Sequence, residues 1–264
     1  MLWIRHAVAW FAFGVTLGAT PGPGALALVC AEGASLNCNG ALARMQATGQ
    51  FSSVDVFDTT TSTPTLSALS GYGFVLAWTD YTPASPTTLG NVLASYYDLG
   101  GKRLTIATYS FSNPWAISGT VMTGAYSALT NLGTNGNVSG NIVPTGPDPI
   151  FNGVTLSAVQ FFHNSNYTHP GLAAGGQLLA TDGAGINMIA RSSNGVINVN
   201  LFPGDQSPSN PAFFSLLAST LTNNTASPSA PVASGAPALT PTAVVFLAAG
   251  MMLVAFHSLR RRTA

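Results

Sequence analysis

The sequence predicts an α/β fold: a doubly wound, mostly parallel sheet with antiparallel strands added late, followed by a C-terminal transmembrane helix. Three observations carry this. In the first half, short apolar runs alternate with segments of helical spacing, the pattern of strands joined by right-handed crossover helices. In the second half, apolar runs are separated by Asp182-Gly183 and Asn194-Gly195, dipeptides suited to tight hairpins. Near the end, Thr242 to Leu259 is a run of 18 residues whose only ionisable side chain is His257, followed at once by Arg260, Arg261 and Arg262.

Taken in order, Arg5 and His6 precede an apolar stretch, Ala7 to Ala19, and small-residue cleavage sites. This is the layout of a secretory signal peptide. Residues 1–19 are read as that signal, with cleavage after Leu17-Gly18-Ala19; Ala25-Leu26-Ala27 gives residue 27 as the alternative end. Ala25 to Cys30 reads as the first strand and Ala41 to Thr48 as a helix. Ser53 to Phe57 alternates as a strand, and Pro64 to Leu69 suits a short helix. Phe74 to Trp78 is a strongly apolar strand. Thr87 to Leu99 places Leu89, Val92, Leu93 and Tyr96 at helical spacing, with Gly100-Gly101 as its cap. Arg103 to Tyr109 is the next strand. Gln177 to Thr181, Asn187 to Arg191 and Val196 to Leu201 are the late strands, and Pro211 to Leu221 is a final helix. One α/β domain is therefore expected over residues 20–223, a Ser/Pro/Ala-rich linker over 224–236, and a C-terminal segment over 237–264 containing a membrane span at 242–259.

Composition narrows the partners. Charged residues make up 6% of the chain and the formal net charge is zero, so counterion release on nucleic acid is excluded as a binding mode. Hydrophobic content of 47% excludes a disordered chain. Glu32 is the lone glutamate and Lys102 the lone lysine. Cys30 and Cys38, the two cysteines, lie eight apart in a chain read as exported. They suit a disulfide, with two buried thiols as the alternative. Without a nearby pair of histidines they make no zinc site, and no metal or other cofactor is expected. As a helix, residues 242–259 rise about 27 Å, just enough for a hydrocarbon core of about 30 Å. The arginines then stay cytoplasmic and the body lies outside.

The tail resembles the C-terminal sorting signals of the PEP-CTERM/IPTL-CTERM class: a short proline-containing motif, one apolar helix and a terminal arginine cluster. The motif position reads Pro237-Ala238-Leu239-Thr240-Pro241. It is neither Val-Pro-Glu-Pro nor a full Ile-Pro-Thr-Leu. The resemblance implies a membrane sorting enzyme of the exosortase kind as partner, besides the export machinery and the membrane itself. It also implies an inner-membrane-anchored intermediate and a destination at the cell surface or in the extracellular matrix, where exopolysaccharide is a further partner.

The body resembles the class I glutamine amidotransferase-like superfamily, including its ThuA-like branch. The stretches concerned are Tyr72 to Trp78, then Leu89 to Leu93 with Gly100-Gly101-Lys102, and Gly195 to Pro203. Active members use a cysteine on a Gly-x-Cys-x-Gly elbow and a later His-x-Glu pair. This chain has no cysteine after Cys38 and no glutamate after Glu32, so that triad cannot be assembled. Ser110, in Tyr109-Ser110-Phe111-Ser112, is a substitute nucleophile without flanking glycines.

Open α/β sheets bind ligands beyond the carboxyl ends of their strands. On the predicted strands those ends carry Glu32, Asp58, Asp80, Ser110 and Asn113. Asp80, next to Tyr81 and two residues past Trp78, suits a site for sugar hydroxyls; alternatively it turns the chain before Pro83. His163 and His169 flank a loop without an obvious third metal ligand, and Asp205 reads as a turn residue. The first expectation is thus a surface or matrix protein with a catalytically degenerate domain. A secreted hydrolase acting on carbohydrate or amide through Glu32, Asp80, Ser110 or His163 is one alternative. A permanently anchored envelope protein is another.

Overall fold

The structure is a computed structural model that describes residues 24–33, 35–123, 125–161, 167–204 and 210–225. The expected signal peptide to residue 19, the linker beyond Thr225, the sorting motif, membrane span and arginine cluster lie outside these residues, as do His163 and Asp205; Asn224, expected to open the linker, is instead buried in the body. Among the described residues, no helix is long and apolar enough to cross a membrane.

The alternation of short strand and helix is realised as β1 (Leu26–Ala31), α1 (Ser35–Ala47), β2 (Val54–Asp58), α2 (Leu66–Ser70), β3 (Phe74–Thr79), α3 (Pro86–Asp98) and β4 (Arg103–Ala107). Six strands follow as short pairings: β5 (Leu129–Thr130), β6 (Asn135–Gly136), β7 (Val143–Pro144), β8 (Tyr167–Thr168), β9 (Gly171–Leu172) and β10 (Gln177–Thr181), the last being the longest. The chain then runs through β11 (Asn187–Arg191), β12 (Ile197–Val199) and α4 (Pro211–Thr222). The main sheet has eight strands in the order β2-β1-β3-β4-β12-β11-β10-β7. The pairings from β2 to β12 are parallel, and those among β12, β11, β10 and β7 are antiparallel. The doubly wound sheet with late antiparallel strands is thus the observed fold.

The period of two along each strand decides the layers. Leu26, Leu28 and Cys30 of β1, with Leu76 and Trp78 of β3, pack with Cys38, Ala41 and Met45 of α1 and with Phe213, Phe214 and Leu217 of α4. Ala27 and Val29, with Val75 and Ala77 and with Leu104 and Ile106 of β4, pack with Leu69 of α2 and Leu89, Leu93 and Tyr96 of α3. Both faces being covered, these strands read as continuous apolar runs rather than as alternating ones. Helix ends follow local chemistry. Asn210 accepts a hydrogen bond from the Phe213 N–H at 3.1 Å, and Pro211 opens α4. Thr65 caps α2 through the Ala68 N–H at 3.1 Å. After α3, Gly100 takes φ +75°, a left-handed position suited to glycine.

Most boundaries fall within two residues of expectation, and two of the differences have a visible local cause. The first helix begins at Ser35 rather than Ala41. Its first turns carry Asn37, Cys38, Asn39 and Gly40, which hide the apolar period, and Cys38 is drawn onto the end of β1 by its bond to Cys30. The strand expected over 103–109 stops at Ala107, because the Ser110 N–H turns back to the Ala107 carbonyl at 3.0 Å. Between that turn and β10, sequence periodicity marks no element; the chain forms two-residue pairings and 3-10 turns there.

Candidate functional site

The strand order fixes where a site belongs. β1 continues to β2 on one side, through α1 on one face; β3 continues to β4 on the other side, through α3 on the opposite face. The crevice at the carboxyl ends of β1 and β3 is therefore the topological switch point, where open α/β sheets bind ligands. Glu32 directly follows β1, Asp80 and Tyr81 directly follow β3, and Asp58 ends β2. Parallel register sets these ends level: Cys30 lies opposite Trp78 on one side and Asp58 on the other.

Glu32 is the centre of this group. It is 2% exposed. The Trp78 indole N–H donates to its Oε1, and the Asn37 amide donates to its Oε2 at 3.3 Å. Gly204 stands so close to Oε1 and to the Phe202 ring that a Cβ there would overlap both. Burial pushes the carboxyl up to about 7; the two donors oppose this, and the negative charges of Asp80 and Asp58 add to it. No cation among the described residues acts on it.

Asp80 is half-buried, and burial raises its pKa as well. Its backbone N–H bonds the Ala31 carbonyl at 2.8 Å, which ties the ends of β3 and β1 together. Its carboxylate makes no hydrogen bond among the described residues, so it does not cap the turn. Asp58 does cap one: its Oδ1 accepts from the Thr60 N–H at 2.9 Å. Tyr81 is 52% exposed and leans on Gly33, where any side chain would collide with the ring.

Beyond β4 and β12 the floor is aromatic and closed. The Tyr109 ring contacts Trp115, Tyr167 and Phe202 at centroid distances of 5.4, 6.4 and 5.5 Å. Ser110 is 0% exposed and its hydroxyl has no hydrogen-bond partner among the described residues. The Ser110 hydroxyl is thus enclosed by protein in this structure. Beside it, Ser112 and Thr108 share hydrogen bonds with the Thr168 hydroxyl, and the Asn200 amide donates to the Thr168 carbonyl at 2.7 Å.

The structure brings Glu32 and Asp80 together at the switch point, with Asp58 near, and keeps Ser110 buried under its own turn. His169 is engaged with the Asn137 carbonyl at 3.2 Å. Among the described residues, no three His, Cys, Asp or Glu side chains are placed to hold a metal. Cys30 and Cys38 are joined as a disulfide with Cα atoms 6.3 Å apart. Lys102 bonds the Ser70 and Tyr72 carbonyls at 2.7 and 2.9 Å, a structural tie from the start of β4 to the α2–β3 turn. Sequence reasoning missed Trp78, Asn37 and Gly204 as the groups around Glu32. Only their convergence from three separated segments reveals them.

No family model and no curated protein matches the chain. Among solved structures, it is similar to a ThuA-like protein from Bacteroides uniformis, with TM-score 0.50 and 10% identity over 78% of this chain and 94% of that one. It is likewise similar to a ThuA-like protein from Parabacteroides merdae, with TM-score 0.51 and 13% identity over 78% of this chain and 92% of that one. At such identities the likeness establishes the α/β architecture with its large, mostly parallel sheet, and nothing about activity.

Proposed function

We propose that the chain is an exported cell-surface or extracellular-matrix protein, delivered through its C-terminal sorting signal, whose amidotransferase-like domain binds or builds rather than catalyses. One observation carries most of the weight. The two cysteines of the chain are bonded to each other, and both are buried. That leaves no thiol nucleophile for amidotransferase chemistry. It also suits an oxidising compartment, since such bonds are rare in the cytosol. The signal-peptide layout and the apolar run ending in arginines support the same route.

The hydrolase alternative requires its groups to meet a substrate. Glu32 at 2% and Ser110 at 0% exposure make it the weaker reading. Sorting is distinguished from permanent anchoring by the intact mass of the mature protein. Loss of the chain beyond the region of Pro237 supports sorting by an exosortase-like enzyme. A mass that still includes Arg262-Thr263-Ala264 supports anchoring and overturns the sorting reading.

A further inference from the structure

We propose that the Cys30–Cys38 bond assembles the switch-point crevice, so that the candidate site exists only in the oxidised protein. Residues 31–37 lie between the two cysteines, and they include both partners of the Glu32–Asn37 contact. Glu32 stands two residues after Cys30, and Asn37 immediately precedes Cys38. Their side chains meet at 3.3 Å, Asn37 Nδ2 donating to Glu32 Oε2. Gly33, on which the Tyr81 ring leans, belongs to the same loop. The cross-link thus brackets one wall of the crevice.

The two ends of this loop are held differently. Cys30 sits in β1, which is laddered to β2 on one side and to β3 on the other. Cys38 sits in the opening turns of α1, where Asn37, Asn39 and Gly40 are poor helix formers. From Asn37 to Gly40, Cys38 alone is buried. Ala41 and Met45, further along α1, dock the rest of the helix on the core. The start of α1 is therefore tied to the sheet through Cys38, and the bond makes that tie covalent. It also removes open conformations of the loop from the competing states. With two thiols instead, both side chains still fill their places as small apolar groups. The sheet and the rest of α1 keep their packing, while the start of α1 frays and Asn37 withdraws from Glu32.

Forming the bond takes two protons and two electrons from the thiols. A disulfide oxidant accepts them and leaves as a dithiol. Cytosolic thiol buffers oppose that reaction, and an oxidising exterior supplies it. On the export reading above, on which this step rests, the crevice is incomplete while the chain is inside the cell and complete once it is outside. Assembly is one-way, because Cys30 and Cys38 are both fully buried and out of reach of an attacking thiolate.

Hydrogen exchange read by mass spectrometry on the full chain tests this, comparing the oxidised protein with the double variant Cys30→Ala, Cys38→Ala. Peptides covering Glu32 to Gly40 are expected to lose protection by about tenfold in the variant, while β3 and α4 peptides keep theirs. Wild type that is unfolded, reduced and refolded under thiol is expected to show the same local loss, and oxidised glutathione to reverse it; this arm stands should the variant fail to fold. Asn37→Ala, with the bond intact, is expected to keep the start of α1 protected. Three results would each overturn the proposal: unchanged protection without the bond, loss spreading equally into β3 and α4 up to failure of the reduced chain to fold, or an equal loss in Asn37→Ala. None of these depends on export, which loss of residues 1–19 from the mature protein reads separately.

Discussion

At the scale of single residues, the acids of this chain pull stability in opposite directions with pH. Glu32 binds its proton more tightly folded than unfolded, about 7 against 4.5. Between those values the native state holds more protons, so this contribution to stability falls as pH rises through the window and is fully lost above it. The fall is of the order of 3 kcal/mol. Asp148 and Asp182 behave inversely. Burial raises each, but Arg191 and the Ile150 N–H outweigh it for Asp148, and the Ile186, Ser139 and Ala184 N–H groups outweigh it for Asp182. Both are held below 3.8, and their stabilisation is present above that value and lost as pH falls below it. Maximum stability is expected between the two windows. Glu32→Gln removes the neutral-side fall. Its unfolding free energy from urea titration should match the wild type near pH 4 and exceed it above pH 7, by up to about 3 kcal/mol. Parallel curves for the two proteins across that range would show that Glu32 is not the group responsible.

At the scale of elements, α3 shows how packing overrides propensity. Glycine inside a helix costs about 1 kcal/mol relative to alanine, which makes Gly90→Ala attractive on local grounds. Yet Gly90 faces the Ser118 backbone and the Ile117 side chain, and an added Cβ would sit far inside contact distance of the Ser118 carbonyl oxygen. Backbone cannot step aside as a flexible side chain does. The substitution is expected to destabilise by about 1–3 kcal/mol despite the better propensity, read as a lower denaturation midpoint. A stabilised variant would mean that α3 and the 117–122 segment separate freely.

The same contrast explains which elements were legible. The strands β1, β2, β3, β4, β10, β11 and β12 announce themselves by local apolar runs, and the Asp182-Gly183 turn by its chemistry: the Asp182 carboxylate accepts from the Ala184 and Ile186 N–H groups at 2.8 and 2.9 Å. The start of α1 was hidden, because it is held by a cross-link rather than by its own period. The two-residue pairings β5–β9 and β6–β8 are too short to leave a period at all. For the site, Glu32 and Asp80 could be placed from sequence because each follows a strand. Trp78, Asn37 and Gly204 could not, because their meeting depends on long-range closure.

At the scale of the whole molecule, cohesion is apolar and polar-neutral rather than ionic. Arg191 and Asp148, bonded at 2.8 Å, are the one ion pair among the described residues. Thr105 meets Thr220 across the β4–α4 interface at 3.0 Å, and Asn224 reaches the Gly195 carbonyl at 2.7 Å. These bonds tie the last described residues, up to Thr225, into the body. If the C-terminal segment is an address and not part of the body, its removal should change location and nothing else. Deleting residues 237–264 is therefore expected to abolish the membrane-anchored intermediate and leave the exported protein in the soluble fraction. The stability of the body should change by less than about 0.5 kcal/mol, as for changes remote from a core. Fractionation and a urea titration of the two chains measure both quantities. A shortened chain that still pellets with membrane would place the anchor elsewhere. One that unfolds at distinctly lower urea would mean that the tail packs on the body, and the reading of it as a detachable signal would fail.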